Sequence, residues 1–300
     1  MTELAALVKR NIKLFFKDKG MFFSSLITPM ILLVLYATFL GNIYRETFTS
    51  AFPKEVELSD KLIGGLVGSQ LISSILAVSC VTVTFCANFL MVQDKVTGAL
   101  KDLKISPVKS SVLSMSYYFA TFLSSLIICF AAAIVGFLYL SAVGWYLSVA
   151  DVFLLLVDVV VLVLFGTALS SIINFFLSTQ GQISAVGTII SAGYGFICGA
   201  YMPISSFADG LQKALLFLPG TYGTSLIRNH AMRGAFSALA EQGIPAEAIE
   251  SVKNALDCNL SFFSHSVSIG AMYLILGVTV AALIGIYIAL NLIKKPKGGH

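Results

Sequence analysis

Apolar residues run along this chain in long blocks, and charged residues fall only between the blocks. Phe22–Asn42, Leu62–Gln93, Ser110–Ala150, Val159–Ala208 and Ser266–Ile293 carry no Asp, Glu, Lys or Arg. A helix crossing a bilayer needs about 20 apolar residues. Four blocks suit one span each. The block 159–208 would make a helix roughly 75 Å long, against about 30 Å of hydrocarbon, so it must fold back. Its polar interruption is Ser178-Thr179-Gln180-Gly181-Gln182. The pattern therefore predicts six spans, at 22–41, 63–90, 112–139, 152–177, 183–201 and 268–292. Pro29 sits near the start of the first, where a membrane helix tolerates it.

The opening segment has a different period. Leu4, Leu7, Val8, Ile12, Phe15 and Phe16 recur at helical spacing, with Lys9, Arg10, Lys13 and Lys17 opposite. This predicts an amphipathic helix over 2–19. Its apolar face would lie in the acyl boundary and its cations among headgroups, with Gly20 ending it. Lys and Arg also set the orientation. Basic residues cluster before the first span, at Lys95, Lys101, Lys104 and Lys109 after the second, and at Lys294, Lys295 and Lys297. Six spans put all three clusters on one side, so both termini are expected in the cytoplasm. Met1–Lys19 is too polar for the apolar core of a cleavable signal.

Composition agrees: 57% of the 300 residues are hydrophobic and 11% charged, against about 25% charged in soluble domains. That excludes a soluble enzyme, a disordered chain and a nucleic-acid binder. Five cysteines are too sparse for a disulfide scaffold. Four fall within expected spans and Cys258 stands alone outside, so no disulfide is expected. The histidines His230, His265 and His300 lack metal-ligand spacing. No Gly-x-x-x-x-Gly-Lys-Ser/Thr cradle is present in these residues. Any ATP and magnesium would be held by another polypeptide, and the chain itself is expected to bind no cofactor.

Two stretches break the pattern. Asp94-Lys95, Gly98-Ala99-Leu100-Lys101, Leu103 and Ser106-Pro107-Val108 make up a charged loop over 93–109 that suits a short surface helix stopped by the proline. Gly199 and Pro203, then Leu218, Pro219, Thr221 and Tyr222, then Arg228, punctuate an apolar run after the fifth span. Two half-helices dipping into the outer leaflet over 203–228 fit this run, since irregular backbone at membrane depth must be covered by protein or line a cavity. The outer segment 231–264 is polar, with a helix expected from Pro245 to Leu256.

In this order, the two motifs resemble the permease family of type-2 ABC exporters. Ala99 and Lys101 depart from that family's loop, which carries Thr and Glu there. The resemblance implies an all-α polytopic transmembrane domain spanning 1–300, in the plasma membrane of a bacterial cell. It implies two permease copies, identical or related, and two separate ATPase subunits. The loop would be a coupling helix seated in the ATPase, with Asp94, Lys95, Gly98, Leu100, Leu103, Ser106 and Pro107 carrying the contact. The amphipathic helix would lie along the same interface.

Polar residues inside the spans are candidates for a path. Gln70, Ser73, Ser74, Ala77, Thr84 and Asn88 share one face of the second span, and Ser184, Thr188, Ser191, Gly195 and Gly199 share one of the fifth. Such spacing serves close helix packing, a polar lining, or both. Asp158 lies about two turns into the fourth span. It is either a carboxyl hydrogen-bonded to a neighbouring helix or a cation- or proton-linked contact. Asp151, nearer the interface, is expected to be solvated. The function expected is export of a hydrophobic or amphipathic substrate, of the drug or antimicrobial-peptide class. The alternatives are export of a lipid-linked cell-surface glycan and ion-coupled transport through Asp158.

Overall fold

A computed structural model describes residues 2–52, 58–263 and 265–293. The basic tail from Lys294, including His300, and Ser264 at the end of the outer segment lie outside the described residues. The chain folds almost entirely as helices. These are α1 (Glu3–Lys17), α2 (Lys19–Leu35), α3 (Gly41–Ala51), α4 (Asp60–Val96), α5 (Ala99–Ile105), α6 (Ser110–Val143) and α7 (Val149–Phe176). They continue with α8 (Gln180–Ile197), α9 (Asp209–Leu215), α10 (Pro219–Glu241), α11 (Ala246–Ala255) and α12 (Ile269–Ile293). A π turn at Tyr36–Leu40 joins α2 to α3 without a break.

Five helical rods are long and apolar enough to cross a bilayer: 19–51, 60–96, 110–143, 149–176 and 269–293. The protein is therefore an all-α polytopic membrane protein. The fifth expected span falls on α8, which is not among these five: it has 18 residues, about 27 Å at helical rise. Gln180, Gln182 and four glycines make it less apolar than the others.

The second span is the axis of the bundle. Its most apolar stretch is 94% buried, against 17–22% for α2, α6 and α12. It packs against α2, α6, α7, α8 and α10. A helix surrounded on all sides can have no amphipathic stripe, so residues all round α4 are buried, from Leu62 to Asp94.

Several boundaries differ from the sequence pattern. Gly20 does not end α1. Asp18 makes the joint, in extended conformation, and its carboxylate accepts the Met21 N–H at 3.0 Å, capping α2. The second arm of the expected hairpin does not stop at Arg228. It continues in α10 to Glu241 with Ala231, Met232, Ala235 and Leu239 buried, so the start of the outer segment is core rather than loop. The helix expected near Pro245–Leu256 is α11. A two-stranded antiparallel ribbon, β1 (Leu260–Phe262) and β2 (His265–Val267), was not legible in the sequence. Its strands are three residues each, too short to show a period.

Candidate functional site: the two ends of the bundle and its polar interior

At the α1 end, four elements are tied together by the last turn of α4. Asp94 is 5% exposed and turned inward. Its carboxylate takes a two-pronged pair from Arg10, at 2.6 and 3.2 Å, and a hydrogen bond from the Tyr117 hydroxyl on α6. Arg10 also donates to Asn11 at 2.8 Å, and Asn11 donates to Ser116 at 3.3 Å. The Asp94 contact raises the Arg10 pKa above its ordinary value, so the cation is held. Lys95 donates from its ammonium to the carbonyls of Asn174, Phe175 and Leu177 at 2.8–2.9 Å. These carbonyls lie at the C-terminus of α7, where the helix dipole favours a cation.

One expectation about α1 is corrected by this geometry. Arg10 does not join Lys9, Lys13 and Lys17 on the outer face but turns to Asp94. The buried face runs through Asn11 and Phe15, each 1% exposed, and packs on α6. Leu4, Leu7, Val8 and Ile12 are half-buried and Phe16 is exposed, so α6 covers one strip of the apolar face, and the buried amide needs Ser116 as its partner.

The loop at 97–109 forms the short helix expected of it. Gly98 begins it with φ of +86°, a left-handed conformation that disfavours a side chain. Leu100 and Leu103 pack half-buried against the core. Lys101, Asp102, Lys104 and Ile105 face out, and Pro107 is exposed after Ser106 ends the helix. The loop's inner contacts are thus made by Asp94, Lys95, Leu100 and Leu103. Its outer surface is the charged face of α5.

At the opposite end, the punctuated motif folds into one hydrogen-bonded lock. Thr221 and Tyr222, in the first turn of α10, donate to the carbonyls of Leu215 and Leu216 at 2.9 and 2.7 Å. They close the C-terminus of α9, while Leu218-Pro219 turns the chain, with proline at the first helical position. Gly199 has φ of +75°, and a Cβ there would meet Ile204 and Asp257 at 3.1 and 3.2 Å. Its carbonyl accepts from Arg228 at 2.8 Å. Arg228 exposes none of its surface. It also donates to the Leu256 carbonyl and lies 3.6 Å from the Asp257 carboxylate. Asp257 accepts the N–H groups of Ile204 and Ser205, just after Pro203. Burial pushes the Asp257 carboxyl up, while Arg228 pulls it down.

Asp158 is buried and shared between three helices. His230 Nδ1 of α10 lies 2.6 Å from one carboxylate oxygen, and the Tyr273 hydroxyl of α12 donates to the other. Asp151 is not solvated, as its position near the interface suggested. It is 2% exposed, forms a capping box with Ser148, and pairs with Arg233 of α10 at 2.5 Å. The polar stretch of α10 that reads as loop in sequence thus supplies both partners.

The two candidate path sets do not share a surface. On α4, Asn88 donates to Thr121 and Ser171 at 3.1 Å and accepts from Asn174 at 3.0 Å, a closed knot inside the protein. Thr84 donates to its own helix at Val81, 2.6 Å away. Gln70 and Ser74 are fully buried and have no hydrogen-bond partner among the described residues. On α8, Ser184 and Thr188 are exposed and Ser191 half-buried. With Ser24 and Ile27 of α2 and Gln93 of α4 they line a groove of about 620 Å³.

Sequence reading missed Arg10, Asn11, Tyr117, Asn174, His230, Asp257 and Tyr273. Asn11 alone carried a signal, since it lies four residues from both Leu7 and Phe15 on the apolar face. The others meet their partners only across helices distant in the chain.

The fold and its buried polar interior define a multi-pass helical membrane protein. The ABC-2 type transporter family matches residues 2–231. The chain belongs to that family, as its membrane-spanning part. No curated protein and no solved structure matches it.

Proposed function

We propose that the protein is the membrane subunit of an ATP-driven exporter that moves a hydrophobic or amphipathic molecule outward. A dimer of permeases would be powered by two separate ATPase subunits. The observation that carries this reading is the α1 end. There the amphipathic helix and the α5 loop are joined through Arg10, Asp94 and Lys95 to α4, α6 and α7. A push on the outer face of α5 has a rigid route into three long helices, because Leu100 and Leu103 seat α5 on the core. That end lies in the cytoplasm on this reading, by the excess of Lys and Arg. The membrane is the plasma membrane, and α8 serves as the sixth span.

The exposed face of α8, with Ser184 and Thr188, is where a second permease would pack and a path would open. Small residues there allow close approach. Gly181 and Gly193 have open space where a Cβ would stand. The mostly apolar surroundings favour a hydrophobic substrate over a lipid-linked glycan. Asp158 acts as a structural carboxyl, supported by its two hydrogen-bond partners.

The test is purification of the tagged protein in mild detergent, with mass spectrometry of its partners. A stoichiometric ATPase whose activity rises with hydrophobic ligands is the expected result. A stable protein without an ATPase, transporting in liposomes on an ion gradient, would overturn it.

A further inference from the structure

The groove of about 620 Å³ between α2, α4 and α8 has two chemically different ends. Ligand pockets commonly hold about 300–1,000 Å³. At the α1 end the groove is polar, with Asp18, Gln93 and Gln180. Toward the middle of the bundle its walls are Ile27 and Ile31 of α2, Phe89 of α4 and Ala192 of α8. From Asp18 to Ile31 it follows α2 for roughly 20 Å at helical rise. Half of the hydrocarbon layer is about 15 Å thick, so the groove runs from one bilayer surface to about the midplane. Thr28 donates to the Ser191 carbonyl at 3.3 Å and ties α2 to α8 toward the deep end.

The side chains at the polar end are open to this space. Asp18 and Gln93 are half-buried, and Ser24, Gln180 and Ser184 are exposed. Among the described residues that line the groove, Asp18 alone is charged. One of its oxygens accepts the Met21 N–H. No basic side chain pairs with it among the described residues. Lys17 and Lys19 flank it in sequence, but they are exposed and do not line the groove. Lys95, at the same end, is bound to the carbonyls that close α7. The start of α8, which could draw an anion, is already capped by Thr179 and Gln182.

A carboxylate without a cation, set beside an apolar wall, attracts positive charge and repels negative charge more strongly than it would in water. We infer that the groove takes a cationic amphiphile from the inner leaflet. Its ammonium or guanidinium head meets Asp18, with Gln93 and Gln180 beside it, and its apolar chain lies against Ile27, Ile31 and Phe89. This deepens the proposed function by fixing the charge of the substrate. It rests on that reading for the side from which the groove is entered.

The test uses the full chain in phosphatidylcholine nanodiscs and a diazirine derivative of an alkyltrimethylammonium. Photolabelled peptides should map to the facing walls of α2, α4 and α8. The competitors are the unlabelled ammonium and the alkyl alcohol and alkyl sulfate of the same chain, compared at equal concentration in the bilayer. The ammonium should displace the label best and the sulfate least. Asp18→Asn keeps a side chain that caps α2. It should weaken the ammonium by about threefold to tenfold and leave the alcohol unchanged. Ser24→Phe, at an exposed position, should fill the groove and abolish the labelling there, with the thermal midpoint confirming the fold. Labelling spread evenly over the lipid-facing helices would overturn the site. So would a sulfate that competes as well as the ammonium, or an ammonium indifferent to Asp18→Asn. A diazirine phosphatidylcholine that labels the groove and is not displaced by the ammonium would make it ordinary lipid contact, and would overturn it too. No ATPase is present in this assay. A preference for the alcohol or the sulfate therefore removes the charge assignment and leaves the exporter reading standing, whereas a protein that purifies without an ATPase removes the exporter reading and leaves the labelling result intact.

Discussion

Arg228 has no exposed surface, yet it carries a full charge. Its desolvation is offset by the carbonyls of Gly199 and Leu256 and by Asp257. Removing one partner of such a pair leaves the other charge buried. Arg228→Met should therefore cost about 3–5 kcal/mol, read as a fall in thermal midpoint or in folded yield. The double variant Arg228→Met/Asp257→Asn should recover part of the loss; no recovery would deny the pairing. Asp158 allows a finer comparison. Asp158→Asn keeps an acceptor for Tyr273 and His230 and should retain both fold and transport. Asp158→Leu orphans both partners and should cost about 1–3 kcal/mol. Transport lost in Asp158→Asn with the fold intact would move weight to ion coupling. Burial also pushes the Cys258 thiol up to about 12. All five cysteines are buried, so maleimide at pH 8 should label none in the intact protein and all of them after denaturation in SDS. Labelling of Cys258 before denaturation would contradict its burial.

At the scale of elements, the contrast between α1 and α10 shows what periodicity can reveal. The apolar repeat of α1 was legible because one face meets core and the other meets water. What covers that face was not, because protein and acyl chains both accept leucine and phenylalanine. Only the buried Asn11 distinguishes them, by its need for Ser116. The length of α10 was hidden for the opposite reason. Arg228, His230 and Arg233 read as loop, yet each meets an aspartate lying 29, 72 or 82 positions away in the chain. The α5 loop gives the clearest prediction at this scale. Lys101→Glu with Lys104→Glu alters only outward-facing charge. It should weaken association with an ATPase while leaving the thermal midpoint within about 0.5 kcal/mol of the original. Arg10→Ala should instead loosen α1, seen as faster proteolysis in the first 17 residues. If the lysine pair leaves association unchanged, α5 is not the contact.

For the whole molecule, the sequence by itself determined the class. Apolar blocks of membrane length force backbone hydrogen bonds to be made within each helix, because lipid offers none. The helical bundle, the short loop helix and the broken segment after the fifth expected span follow from that constraint, although six spans were expected and five of the described helices are long and apolar enough to cross. So did the assignment to the ABC-2 type transporter family, through residues 199–228 and the loop at 94–108, both within the matched range. The tertiary structure alone decided which helix is central, since α4 is no more apolar than α6 or α7. It also separated the polar residues of α4, closed inside the protein, from those of α8, open at its surface. Hydrophobic pattern records whether a residue avoids water. In a membrane protein both lipid and protein satisfy that preference, so the pattern cannot say which of them a residue faces. Partners such as Arg10 and Asp94, or Asp158 and His230, meet only when distant helices pack, and only the fold brings them together.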